Sequence, residues 1–388
     1  MWNNGLRHCE RPEGAKQSGF KKQIASSACG LLAMTMIFSG CTTWQPLPFR
    51  SAPLRAYGPL GPEAAAPALP EEYQHYYDYP APDFSRAEVV LTEEHKNYVM
   101  RRVEIPLVMP EELMPEDLPA FKAEVEALAV TDRKTTDDMK LRYTNRIDFY
   151  VPKNIKPGEK RPVILISPIL GGNMVVDRFA RYYAGRGYLA ALVHRKRTWW
   201  DEKKDMQQIE DYLRSSVIRL RQAVDWVSVQ PEVDPRRIGA FGVSYGAILH
   251  VVLAAVEPRI RYHVLAMPAA PIPDVIMACP DKAITKLLTQ AQEKNGLTLE
   301  QVYDQLQKTV RTDPKYLAPY VPRDRMLVYV AAFDRVVGAR RSFGLWKALG
   351  KPKLRVMPFG HYGGVVVFPL LQTQSYLAFK RHLKVPRN

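Results

Sequence analysis

The chain has 388 residues, room for about two or three average domains or one large α/β unit, and 46% of them are hydrophobic, enough for a sizeable core. Its 55 Lys and Arg against 40 Asp and Glu leave a net charge of +15, but the basic residues are spread along the chain and form no dense block with interleaved aromatics, which argues against a nucleic-acid partner. Cys9, Cys29, Cys41 and Cys279 are too widely spaced for a zinc pattern or a disulfide framework, so no metal is expected, and Cys279 reads as a packed thiol.

Residues 1–22 carry Arg7, Arg11, Lys16, Lys21 and Lys22, and an apolar run follows from Ile24 to Phe38. The run is too short to span a bilayer comfortably and reads as a secretory signal. It ends at Phe38-Ser39-Gly40-Cys41, which resembles a bacterial lipoprotein signal, with Phe38 where that family usually has leucine. The resemblance implies removal of residues 1–40 and acylation of Cys41. Thr42 in place of an aspartate then implies the outer membrane, facing the periplasm. The alternative is an ordinary signal peptide or an uncleaved anchor.

Residues 41–86 are rich in Pro, Ala and Tyr without a sustained hydrophobic period, the composition of a stiff tether. Its cluster Tyr73, Tyr76, Tyr77 and Tyr79 is expected to pack on the folded domain, residues 87–388. There AEVVLT, YVMRRVEI and NRIDFYV have strand composition, with a polar, partly helical stretch before the last. PVILISP is a β-branched run suited to burial on both sheet faces. The loop ILGGN, a helix over about 174–186 and the strand YLAALVH follow, an order that gives a parallel sheet with helices on both faces. A charged loop with Trp199 and Trp200 leads to a long amphipathic helix over about 206–229. The segment from about 270 to 323 reads as a helical insertion placed to act as a lid. RMLVYVAAFD, a helix over about 339–349, KLRVMPFGH and a closing helix through Lys384 complete the chain.

The chain turns on RIGAFGVSYG, residues 237–246, where an apolar strand runs through Gly242-Val243-Ser244-Tyr245-Gly246 into an apolar helix. A serine on so sharp a strand-to-helix turn needs glycine two positions before and after it, because a Cβ would collide with the facing backbone. Ser244 is therefore the candidate nucleophile. A serine hydroxyl needs a base with near-neutral pKa and a carboxylate to orient that base. His361 and Asp334 both fall just beyond strands, at the carboxyl edge where ligands of open α/β sheets bind. His194 ends a strand near the same rim and is the rival base, His263 reads as structural, and Asp274 and Asp281 fit less well as the acid. The competing role for Asp334 is capping a helix N-terminus.

GVSYG, AAFDRVV and PFGHYG, in that order behind PVILISPILGG, resemble the α/β-hydrolase superfamily over roughly residues 100–385. The passage DWVSVQPEVDPRRIGAFGVSYG resembles its dienelactone hydrolase, acetyl xylan esterase and prolyl oligopeptidase-like groups. The resemblance implies an α/β-hydrolase fold, a mostly parallel central sheet flanked by helices with a helical lid insertion. It implies an oxyanion hole built from the N–H groups of Tyr245 and of Leu170, with Ile169 the alternative. Pro168 and Ile169 stand where the family usually has His-Gly. The expected function is carboxylic ester hydrolysis at the cell envelope through Ser244, His361 and Asp334, with a small-molecule or polymer-borne ester as substrate and no cofactor. A serine peptidase of the prolyl oligopeptidase-like group and a noncatalytic envelope-binding lipoprotein are the alternatives.

Overall fold

A computed structural model describes residues 68–129, 132–196, 205–363 and 368–384. The expected signal segment 1–40, Cys41, the first part of the tether, Trp199 and Trp200 lie outside the described residues. The strands are β1 Glu88–Glu94, β2 Tyr98–Pro106, β3 Thr144–Pro152, β4 Arg161–Ser167, β5 Leu189–Val193, β6 Val233–Val243, β7 Ile260–Ala266, β8 Met326–Ala331 and β9 Lys353–Met357. They form one nine-stranded sheet in the order β1-β2-β3-β5-β4-β6-β7-β8-β9. From β5 through β9 in that order the pairings are parallel, whereas β1, β2, β3 and β5 pair antiparallel.

Among the parallel strands β4 is the β-branched run, and its Val163, Ile164, Leu165 and Ile166 are wholly buried because helices cover both faces. Side chains alternate across a strand, so the two faces carry separate cores. Val163 and Leu165 pack with α4, Gln207–Ser228, which brings Leu213, Val217 and Val224 to that face. Ile164 and Ile166 pack on the other face with α3, Met174–Ala184, and with Phe379 of the closing helix Phe368–His382. There Phe179 stacks on Phe241 of β6 at 4.4 Å between ring centroids.

The polar stretch before β3 forms α1, Leu118–Leu128, and α2, Arg133–Lys140. The elbow helix is α5, Tyr245–Val256. Between β7 and β8 lies the helical insertion, made of α6 Ile272–Ala278, α7 Lys282–Asn295, α8 Leu299–Thr309 and a short turn Pro314–Leu317. Strand β1 runs along the sheet edge, with Val89 and Val90 exposed.

Residues 71–86, read from composition as tether, pack on the domain. Tyr73 and Tyr77 are buried, Tyr76 donates to Glu210 of α4 at 2.8 Å, and Tyr79 donates to Asp225 at 2.7 Å. Each ring buries apolar area while its hydroxyl finds a polar partner. Among the described residues no helix is long and apolar enough to cross a membrane.

Candidate active site

Ser244 lies between β6 and α5 with φ 53° and ψ −120°, a conformation that L-residues avoid at a cost on the order of 1–3 kcal/mol. The surrounding packing holds it there. Ser244 N–H donates to the Ala266 carbonyl of β7 at 2.8 Å, and its own carbonyl accepts from Ile248 N–H at 3.0 Å. A Cβ on Gly242 would sit 2.6 Å from the Gly246 backbone, and one on Gly246 would sit 2.8 Å from the Ser167 carbonyl oxygen. Both neighbours are backbone, which cannot step aside, so the two glycines let the elbow helix close onto β4 and β6.

His361 follows β9, and its Nδ1 lies 2.8 Å from Asp334 Oδ2. The other oxygen of Asp334 accepts the N–H groups of Val336 at 2.9 Å and Val337 at 3.0 Å. The carboxylate thus ties down the turn after β8 while its other oxygen faces the imidazole, and the helix that follows, Ala339–Ala348, is capped at Gly338 rather than at Asp334. Its side chain is 1% exposed and that of His361 is 11% exposed. A buried anion beside Nδ1 fixes a proton there and leaves Nε2 free to accept one. Asp274 and Asp281 do other work: Asp274 accepts from Tyr303 at 2.8 Å, and Asp281 caps α7 through Ala283 N–H.

Ser244 and His361 line one cavity of about 240 Å³, as do Tyr245, Leu170 and Ile169. Tyr245 opens α5, and the first N–H groups of a helix have no partner within it. The turn across the opening is tight, with Gly172 N–H donating to the Ile169 carbonyl at 3.1 Å. Arg195 Nε donates to the same carbonyl at 3.1 Å, and its Nη1 reaches Tyr212 of α4 at 3.1 Å. Arg195 was not singled out from sequence, because nothing in a charged loop marks one arginine as the brace of a turn some 25 residues earlier.

The rival base is engaged elsewhere. His194 Nε2 lies 2.8 Å from Asp148 Oδ2, and Arg102 donates to the same carboxylate at 2.6 and 3.0 Å. Burial would raise the Asp148 carboxyl, but hydrogen bonds from His194 and Arg102 overcome it and hold the group down at about 2. His194 lines a separate polar cavity that does not include Ser244.

Two more histidines lie beneath the elbow. His250 Nε2 is 2.5 Å from Ser167 Oγ at the end of β4, and its ring meets that of His263 edge to face at 6.1 Å. Burial pushes His263 down to about 3, with Arg325 adding to the effect, and pushes His250 well below its ordinary value. Both are neutral core groups, as expected for His263. The free thiol of Cys279 lines the Ser244 cavity, where burial raises it to about 11, so it is a protonated wall group.

Among solved structures, acetyl xylan esterase 1 from Thermoanaerobacterium sp. JW/SL YS485 matches 80% of this chain and 95% of its own length, at a TM-score of 0.56 and 16% identity. The acetyl xylan esterase from Paenibacillus sp. R4 matches 81% of this chain and 96% of its own, at 0.55 and 14%. The chain has the α/β-hydrolase fold. The prolyl oligopeptidase family pattern matches residues 179–357 of this chain, a span that holds Ser244 and Asp334 and stops just before His361. The partial family match and the fold together support a serine hydrolase, of esterase or peptidase type. No curated protein sequence matches the chain. Among the described residues no group of three or more His, Cys, Asp or Glu is placed to hold a metal ion.

Proposed function

We propose that this α/β-hydrolase is a carboxylic ester hydrolase that works through Ser244, His361 and Asp334. The observation that carries the reading is Ser244, on its positive-φ turn, opening into the same cavity as a histidine whose far nitrogen is 2.8 Å from a buried carboxylate. Ser244 Oγ attacks the ester carbonyl carbon while His361 Nε2 takes its proton, giving a tetrahedral oxyanion. Tyr245 N–H and Leu170 N–H are the proposed donors to that oxygen, each worth about 3 kcal/mol of transition-state stabilisation. Collapse breaks the C–O bond to the alcohol, which leaves with the proton from His361. Water then attacks the acyl-enzyme while His361 takes its proton, and the C–O bond to Ser244 breaks as His361 returns that proton to the Ser244 oxygen, releasing the acid. Asp334 keeps Nδ1 protonated throughout.

The lining of the cavity favours esters over peptides. Its walls are largely aliphatic, with Ile209, Leu213, Ile248, Ile276 and Val337 among them. A peptide needs partners for its own backbone N–H and C=O groups, and such walls leave those groups unpaired. Peptide hydrolysis stands as the second reading, favoured by the prolyl oligopeptidase family match. Turnover of p-nitrophenyl esters against peptide p-nitroanilides separates the two. Ester turnover abolished in Ser244→Ala is expected; peptide turnover that dominates by tenfold or more would reverse the ranking.

Attachment to the cell envelope through lipid on Cys41 is part of the proposal. It rests on the apolar run ending in Phe38-Ser39-Gly40-Cys41. A basic, lipid-held hydrolase of this kind would meet apolar esters at or near the outer membrane.

A further inference from the structure

We infer that the Ser244 cavity binds an apolar acyl chain of about four to eight carbons, in the lobe between Ile209 and Leu213 of α4, Ile248 of α5, Ile276 of α6 and Ile284 of α7. This rests on the ester-hydrolase reading and adds which half of the substrate lies where and how long it is.

The cavity is walled from both faces of the sheet. Ile209, Leu213, Ile248, Ile276 and Ile284 belong to the core on the α4 face, whereas Val337, Met357 and Leu371 belong to the core on the other. Ser244, at the end of β6, stands between these two sets of apolar side chains. The direction of proton transfer assigns them. His361 must hand its proton to the departing alkoxide oxygen, so the alcohol leaves on the His361 side, beyond β9 at the edge of the sheet, where Tyr362 is 60% exposed. The acyl carbon keeps its bond to Ser244 and its chain points the other way, toward β4 and the helices α4 to α7.

Size and chemistry then set the chain length. A cavity of about 150 Å³ lined by aliphatic groups holds a benzene, six carbons. By proportion the 240 Å³ here holds about ten carbons, shared between acyl chain and the near end of the alcohol. The five aliphatic side chains named carry no polar atom, and the cavity they share is also lined by Tyr212, Tyr245, Cys279 and Asp281. An acetyl group would leave most of the acyl lobe bare, whereas each further methylene that reaches these walls should raise kcat/KM about fourfold until the lobe is full. Two of the five walls, Ile276 and Ile284, come from α6 and α7, so the helical insertion contributes directly to acyl selection rather than only covering the site.

The test holds the leaving group constant. With the whole chain, kcat/KM is measured on p-nitrophenyl acetate, butyrate, hexanoate, octanoate and dodecanoate. At least a tenfold rise from acetate to hexanoate is expected, with a fall by dodecanoate; a profile that is flat or highest at acetate overturns the inference. Leu213→Trp, which fills the lobe, should lower the hexanoate-to-acetate ratio tenfold or more while leaving the ratio of hexyl acetate to ethyl acetate within twofold. A shift in the alcohol ratio instead would reverse the assignment of the lobes. If Leu213→Trp does not give a cooperative melting curve, Ile284→Phe serves for the same ratios. Failure of the underlying reading looks different: no ester in the panel is then hydrolysed in a Ser244-dependent way, whatever its length.

Discussion

Replacing Asp334 by asparagine keeps the shape of the side chain and reverses one hydrogen bond. Asp334 Oδ1 accepts the N–H groups of Val336 and Val337 at 2.9 and 3.0 Å, so the asparagine oxygen takes that place and its NH2 faces His361 Nδ1. Nδ1 must then accept, and the ring proton moves to Nε2, the nitrogen that has to take the Ser244 proton. A loss on the order of 10⁴ in kcat is expected, equivalent to about 5 kcal/mol of barrier. The two bonds from Val336 and Val337 survive, so stability should change by less than about 1 kcal/mol. Asp334→Ala loses those bonds as well and should cost about 1–2 kcal/mol of stability on top of the same loss of rate. Steady-state turnover of p-nitrophenyl butyrate, paired with thermal unfolding followed by circular dichroism, reads both quantities. A folded Asp334→Asn that keeps kcat within tenfold of the parent would refute the role assigned to the carboxylate.

Gly246→Ala puts a Cβ 2.8 Å from the Ser167 oxygen and 2.9 Å from the Pro168 oxygen. Overpacking of this kind costs about 1–3 kcal/mol, and because it separates the elbow from the strand leading into the Ile169–Gly172 turn, kcat should fall at least a hundredfold; unchanged kinetics would contradict it. His263, held at about 3 by burial, binds a proton in the unfolded chain below about pH 6.5 but not in the folded one. The unfolded state therefore gains protons first, and stability should fall by about 1 kcal/mol per pH unit as pH drops from 6.5 toward 3. Urea unfolding at pH 7.5 and 5.5 measures this for the parent and for His263→Leu, whose loss should be the smaller; equal losses would remove His263 from the explanation. Incorporation of radiolabelled palmitate in a Gram-negative host should vanish in Cys41→Ala, and label that persists would place the lipid elsewhere or dispose of the anchor.

The core was legible because its signals are local. PVILISP is a β-branched run and YLAALVH an apolar one, both of strand length, and in the sheet they are β4 and β5, buried on both faces. The glycines around Ser244 were legible because a five-residue turn encodes its own sterics, as in the 2.6 Å approach of Gly242 to Gly246, whereas the 2.8 Å approach of Gly246 to Ser167 depends on β4 lying beside β6. Asp334 and His361 could be nominated from their place after strands, but their 2.8 Å contact depends on β8 and β9 being neighbours, which no local pattern states. The separation of His194 from the site was hidden for the same reason. Its partner Asp148 lies on β3, 46 residues away, and is brought beside it by the antiparallel pairing of β3 with β5. The packing of the tyrosines on the domain was expected, yet the carboxylate partners of Tyr76 and Tyr79, Glu210 and Asp225 of α4, could not be named because they lie 134 and 146 residues away and no local pattern joins them.

The central claim is that Ser244 is an activated nucleophile, and covalent labelling tests it without a choice of substrate. The whole chain is treated with a fluorophosphonate probe, digested, and mapped by mass spectrometry, alongside Ser244→Ala and His361→Ala. Expected is a single phosphonyl adduct on Ser244, absent from Ser244→Ala and formed at least a hundredfold more slowly in His361→Ala. An unlabelled parent chain, or an adduct that persists in Ser244→Ala, would contradict it.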